Sequence, residues 1–314
     1  MLLFRLMTHT PVVEWSYSKR DLLSKCNRRY YYQYYGFSKK VAPEEPNKQA
    51  IQSLKNLDNV PLQMGNILHL IIQTYFKKAQ RGEMWSLDRL LGWASKISKE
   101  ELTYNRQYNQ NHPPTEIDPY KKLLVEFYYQ LKNAEELYAD TYSKLTNGLT
   151  HFYDSEIYKD FRNDGIRPEA SVEKKFSLDR WHYKVRGKID LTYRKGNKIV
   201  IVDWKLGNSG GGDESLQLLS YATSASNEER LPPEKIEIYM AHLNANVATT
   251  FPVTNENLSN AEARIAQDVE TMTYLDRYGR VATVNAFSKC DQLKICVSCQ
   301  YQTICHGRVI NGDA

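Results

Sequence analysis

The chain has 314 residues, 41% hydrophobic and 25% charged, with a formal net charge of +5. These proportions are ordinary for a globular protein, and the length allows one large domain or two small ones. The mild positive charge suits a polyanionic partner without demanding one. No run of 18 or more apolar residues occurs, so no membrane span is expected. The opening MLLFRLMTHTPVVEW has a very short apolar run and no small-residue cleavage site. No signal peptide is therefore expected, and a cytoplasmic location follows as the default.

The pattern over residues 14–37 predicts a helix capped by Ser16 or Ser18, with Leu22, Leu23, Cys26, Tyr30 and Tyr34 on its inner face. The 23 tyrosines fit either base stacking or a helical core, and for most the core is the simpler reading. Residues 38–62 carry three prolines and read as a loop or a short broken helix. Residues 63–80 form a strong amphipathic pattern with His69 among Leu68, Leu70, Ile71 and Ile72. A lone histidine there reads most simply as a satisfied core residue. Residues 85–162 read as mostly helical, with a break at 111–114 and a turn over 162–168.

Residues 171–178 alternate as a strand, and Glu173 on it is a candidate to face whatever site the next strands build. Those strands are the most informative stretch. Trp181, Tyr183, Val185, Ile189, Leu191 and Tyr193 are apolar at every second position, interrupted by Gly187. Residues 199–202 are apolar throughout, as a strand buried on both faces should be. Gly196-Asn197 between them suits a two-residue hairpin turn. That turn pairs Lys195 with Lys198 and sets Asp190 opposite Asp203, with Lys205 on the same face. Facing carboxylates repel, and a divalent cation would remove the conflict.

Residues 207–212 form a glycine-rich loop that lacks the Lys-Ser/Thr of a phosphate-binding loop and reads as a connector. Residues 214–224 read as a helix with Gln217 and Tyr221 on one face. A strand over 235–248 and a helix over 255–277 follow. The order gives a mixed α/β core with helices ahead of it.

Four of the five cysteines crowd the end of the chain: Cys290, Cys296, Cys299 and Cys305. The spacing Cys296-x2-Cys299-x5-Cys305 supplies three thiolates in one short loop, with Cys290 or the distant Cys26 as the fourth ligand. Sulfur-only donors suit zinc or an iron–sulfur cluster, and chemistry alone does not choose between them.

Taken together, these motifs resemble the RecB-like exonucleases of the PD-(D/E)XK nuclease superfamily. The nearest likeness is to their iron–sulfur branch, which includes the CRISPR-associated and AddB-type nucleases. The likeness runs through the opening helix with its cysteine, GNILH, GKID, VDWK, QLLSY and CVSCQYQTIC, in that order. It implies a restriction-endonuclease-like α/β core over 168–280, a helical lobe over 63–162, and a clasp of 1–37 with 286–314, all in one domain. It implies His69, Asp190, Asp203 and the Trp204 carbonyl as ligands of Mg²⁺ or Mn²⁺. It implies Asp190, Asp203, Lys205, Gln217 and Tyr221 as the catalytic set. Cys26, Cys296, Cys299 and Cys305 become ligands of a 4Fe-4S cluster, with zinc as the alternative metal and Cys290 as a competitor of Cys26. Asp203 stands where many relatives have Glu. Burial and a nearby metal are expected to lower the pKa of Lys205, and Gln217 and Tyr221 to orient it or hold the nucleic-acid backbone. Arg28, Arg29 and tyrosines 30–32 either line the strand path or form an ordinary helix face over a core.

The implied activity is metal-dependent exonuclease action on single-stranded DNA or DNA ends. The alternative is an inactive nuclease-fold subunit that binds DNA or a partner. No Walker A sequence is present, so a helicase would be a separate chain. A CRISPR-adaptation or recombination partner is equally compatible, and no membrane partner is expected.

Overall fold

The computed structural model describes residues 13–38, 41–108, 121–163, 170–180, 182–207, 213–276 and 283–310. The break at 111–114, most of the turn over 162–168, Trp181 and loop residues 208–212 lie outside the described residues.

A short strand, β1 (Val13–Trp15), runs directly into α1 (Tyr17–Lys25) and α2 (Asn27–Tyr34). Ser16 caps α1 by accepting from the Lys19 amide. The single helix expected over 14–37 is broken at Cys26, which is extended (φ −162, ψ 107). Its sulfur then caps α2, accepting from the Arg29 amide at 3.4 Å. Tyr30, Tyr31 and Tyr32 are buried, so they are core and not a strand path.

After α3 (Lys48–Leu54), helix α4 (Val60–Ala79) begins three residues ahead of the apolar pattern. Asn59 fixes the start, its side-chain oxygen accepting from the Leu62 amide at 2.9 Å. Pro61 fits the first turn because its missing N–H would have had no helical partner. Helices α5 (Leu87–Gln107), α6 (Val125–Tyr128), α7 (Ala134–Asp154) and α8 (Glu156–Asn163) follow, with α4, α5 and α7 packed together.

Next come β2 (Ser171–Asp179), β3 (Tyr183–Lys195), β4 (Lys198–Lys205), α9 (Glu214–Glu229), β5 (Ile236–His242) and β6 (Val247–Thr250). The strand expected over 235–248 is two antiparallel strands, turned through Asn246 in the left-handed region at φ +54. Helices α10 (Asn255–Asp276), α11 (Leu293–Val297) and α12 (Gln302–His306) close the described chain.

The sheet order is β1-β3-β4-β5-β6, with β2 also on β3. The β3–β4 hairpin has the expected register, Lys195 opposite Lys198, with Gly196 at φ +61. A strand has two edges. β2 occupies one edge of β3 along residues 184–192. β1 and β4 therefore share the other, β1 beside 183–185 and β4 beside 191–195. Among the described residues, 186–190 have no ladder partner on that edge. This opening in the sheet positions the site.

β4 carries both hydrophobic cores, as its unbroken apolar run requires. Ile199 and Ile201 join Leu216 and Leu218 of α9 and Ile265 of α10. Val200, Val202 and Trp204 join Ile71 of α4 and Leu145 and Phe152 of α7. The Trp204 and Phe152 rings meet edge to face at 5.5 Å, a favoured aromatic geometry.

Two carboxyl groups lie almost fully buried beneath α4. Glu126 accepts from the Val60 amide at 3.0 Å. Glu101 accepts from the Gln63 side chain at 2.6 Å and from the Tyr138 hydroxyl at 3.4 Å. Burial pushes each carboxyl up to about 7, outweighing the hydrogen bonds that oppose it. Between the ordinary glutamate value and that point, the folded state holds more protons than the unfolded one. Their contribution is complete at acid pH and is lost as pH rises through about 7. The loss amounts to at most about 3 kcal/mol per group. Glu101→Gln should therefore flatten the fall in melting temperature between about pH 5 and pH 8. An unchanged slope contradicts this assignment.

Candidate active site

The opening in β3 is the floor of a cavity of about 490 Å³. Strands β2, β3 and β4, helices α4 and α9, and the start of α1 all line it. Asp190 and Asp203 lie almost wholly buried within it. The hairpin ladder runs to Leu191–Val202, and the next step in that register is Asp190–Asp203. Instead of continuing the ladder there, the Trp204 amide donates to Asp190 Oδ2 at 2.8 Å. The strands part at the point where the two carboxylates meet.

Each carboxylate has its own counter-ion. Asp190 Oδ1 lies 3.2 Å from His69 Nδ1, and Asp203 Oδ2 lies 2.7 Å from Lys205 Nζ. Burial alone would raise Asp190, but His69 and the Trp204 amide outweigh it and hold the carboxyl below its usual range. Asp203 is raised, first by burial and then by the charge of Asp190. Burial would lower His69, and Asp190 reverses this, so the imidazole is raised.

Burial acts to lower the pKa of Lys205, as expected, but the contact with Asp203 outweighs it, so the protein's own groups raise the ammonium. Gln217 and Tyr221 act on a different neighbour than expected. Both grip Asp203 Oδ1, the Gln217 amide donating at 3.0 Å and the Tyr221 hydroxyl at 3.2 Å. The Gln217 amide also donates to the Tyr221 hydroxyl at 2.7 Å. They orient the carboxylate, not the lysine.

Glu173 is the residue whose placement the sequence left open. Val172 pairs with Leu191 and Lys174 with Ile189, so Glu173 stands opposite Asp190. Its backbone is left-handed, φ +57, a conformation that costs a non-glycine residue about 1–3 kcal/mol and clusters at functional sites. Ligand atoms of His69, Glu173 and Asp190 all lie within 4.8 Å of one another. That spacing suits one cation held by an imidazole and two carboxylates. Among the described residues Asp203 is not part of that tight group. The Gln217 side-chain oxygen is buried with no hydrogen-bond partner among the described residues, an acceptor left to the cavity. The donor set and this orphan oxygen fit a divalent cation.

Arg186 and Lys188 line the cavity with Asp190. Their period-two spacing on β3 was the signal available in the sequence. Trp204 contributes its amide through Asp190, while its ring packs in the core and does not line the cavity.

The cysteines form a second grouping away from this cavity. Cys26, Cys290, Cys296, Cys299 and Cys305 line one small pocket with Arg28 and Arg29. Those two arginines line the thiol pocket and not the cavity that holds Asp190 and Asp203. Burial pushes the Cys299 thiol up to about 11, and burial with neighbouring thiols raises Cys296. No five-thiol or three-thiol subset among the described residues reaches the 4.8 Å spacing of the His69 group.

Residues 14–306 match the family model of the PD-(D/E)XK nuclease superfamily. The chain belongs to that superfamily, and its mixed sheet flanked by helices is that fold. Comparison with curated proteins finds no match. Among solved structures, the chain is similar to a presumed exonuclease from Eubacterium rectale, at 13% identity and a TM-score of 0.37, covering 91% of this chain and 92% of that one. It is also similar to SSO0001, at 16% identity and a TM-score of 0.31, covering 69% of this chain and 95% of that one. Likenesses this distant carry no weight for function. Among the described residues no helix is long and apolar enough to cross a membrane.

Gly187 ties the site to its packing. A Cβ there would stand 2.4 Å from the Phe176 ring and 3.3 Å from the Tyr221 ring. Phe176 and Tyr221 meet edge to face at 5.8 Å, so the displaced ring would carry Tyr221 off Asp203. Gly187→Ala should cost about 1–3 kcal/mol of stability by overpacking and lower activity beyond that loss. Wild-type melting temperature and activity together would contradict this packing account.

Proposed function

We propose that the protein is a divalent-cation-dependent deoxyribonuclease that hydrolyses phosphodiester bonds, acting on single-stranded DNA or on strand ends. The observation that carries this reading is the meeting of Asp190, Asp203 and Lys205 at the unpaired edge of β3, with His69 facing them from α4. The recessed position of the two carboxylates favours a flexible single strand or end over the backbone of an intact duplex. His69, Asp190 and Asp203, with the Trp204 carbonyl, would hold Mg²⁺ or Mn²⁺, and the imidazole suits Mn²⁺ somewhat better. When bound, such a cation supplies Lewis acidity toward the phosphate and toward water.

The chain's own groups do the rest. Lys205, kept charged by Asp203, offsets the negative charge that develops on the phosphoryl oxygens. Gln217 and Tyr221 hold Asp203 in one orientation. Arg186, Lys188 and Lys122 line the cavity and attract the phosphate backbone. Asp203→Ala and Lys205→Ala should each reduce cleavage of end-labelled DNA by at least about 10²-fold, with the fold retained. The assay is run anaerobically with single- and double-stranded substrates in Mg²⁺ and in Mn²⁺. Undiminished Mn²⁺-dependent degradation by either variant contradicts the proposal. DNA binding by wild type without turnover in any divalent metal would make it a binding subunit instead.

The cysteine pocket extends the reading to an iron–sulfur cluster held by Cys26, Cys296, Cys299 and Cys305. Support comes from the convergence of thiols from both ends of the chain and from the helix break at Cys26. Anaerobically purified protein should be brown and carry about four iron atoms per chain. Colourless protein with stoichiometric zinc contradicts the cluster.

A further inference from the structure

Glu173 and Lys188 form an ion pair inside the cavity, and the two residues differ in freedom. Glu173 has a side chain only 13% exposed, while Lys188 is 49% exposed. The carboxylate is fixed on β2 within reach of His69 and Asp190. The ammonium sits at the end of a flexible stem on the cavity wall. A non-glycine strand residue in the left-handed region is strained, and such strain clusters at functional sites. Here its side chain points at an imidazole and a second carboxylate. Three groups that could all ligate one cation thus have an exposed lysine, Lys188, paired with one of them.

We propose that Glu173 is a cation ligand alongside His69 and Asp190, and that Lys188 is its built-in competitor, displaced when a substrate phosphate enters. The inference rests on reading the cavity as a cation-dependent phosphodiesterase site. In the empty cavity Lys188 neutralises Glu173 and weakens its hold on a divalent ion. A phosphate offers the ammonium a second anion, and Lys188 can reach it because it is exposed. Glu173 cannot follow, so its charge becomes available to the cation. Cation and nucleic acid then strengthen each other's binding, as any such coupling must act in both directions. The device would keep the site weakly loaded until a strand is present.

The test measures Mn²⁺ affinity of the full chain without DNA, by calorimetry and by the loss of the free Mn²⁺ electron-spin signal. The two substitutions are predicted to act in opposite directions. Glu173→Gln should weaken Mn²⁺ binding by about tenfold or more, as losing a ligand or its close support does. Lys188→Met should tighten it several-fold, because the competing charge is gone while the stem is kept. Wild-type affinity in Glu173→Gln overturns the proposal, and so does unchanged or weaker binding in Lys188→Met. Lys188→Met removes an exposed charge, so its outcome does not hinge on refolding a core. Asp190→Asn is measured in parallel. If it too binds Mn²⁺ like wild type, the cation-site reading itself has failed; if it binds weakly and Glu173→Gln does not, the role of Glu173 alone is wrong.

Discussion

The repulsion between Asp190 and Asp203 is the constraint on which the rest depends. A two-residue turn at Gly196 sets the register that makes them neighbours. The β3–β4 ladder stops one step short of them, and the Trp204 amide bonds to the Asp190 carboxylate instead of to the opposing strand. Two carboxylates in a nearly dry place are costly unless their charge is met. The fold meets it in pieces: His69 from α4 on one, Lys205 on the other, and two donors of α9 on Asp203. The compensation is arranged from separate elements, so each of those elements has to be held.

The holding is visible. α9 is fixed by Asp213, which caps it, pairs with Arg264 of α10 and lies 3.8 Å from Arg20 of α1. α4 is fixed at its start, where Asn59 caps it and also donates to the Ser298 carbonyl at 3.4 Å. Ser298 lies between Cys296 and Cys299. The residue that ends α6 reaches the same segment, the Tyr129 hydroxyl donating to the Gln300 carbonyl at 2.7 Å. The cysteine-bearing end of the chain is thus tied directly to the helix that presents His69. Losing order in that segment would be felt at the cavity through these hydrogen bonds.

Much of the central hairpin was legible because its signals are local. Strand alternation, a turn dipeptide and one register step are enough to bring Asp190, Asp203 and Lys205 together. Gln217 and Tyr221 were legible as one helix face, but their partner was not, because choosing between Asp203 and Lys205 needs the distance from α9 to β4. The Lys205 contact was hidden for a similar reason: burial is readable from a hydrophobic strand, whereas a 2.7 Å contact with Asp203 is not. β1 is three residues long and leaves almost no periodicity. The break at Cys26 lies inside a sequence that continues a helix well, and nothing local signals it. Glu173 was visible as an alternating strand residue, but nothing local reveals its left-handed backbone.

The central claim is that the facing carboxylates are kept for a cation at the expense of stability. The most direct measurement is the melting temperature of wild type and Asp203→Asn, each in chelator and in excess Mn²⁺. In chelator the variant should melt higher, because burial and the Asp190 charge outweigh the Lys205 contact in their effect on the ionised Asp203. Mn²⁺ should raise wild type by ligand linkage and raise the variant by less. A variant that melts lower than wild type in chelator, and gains as much as wild type from Mn²⁺, would contradict the account.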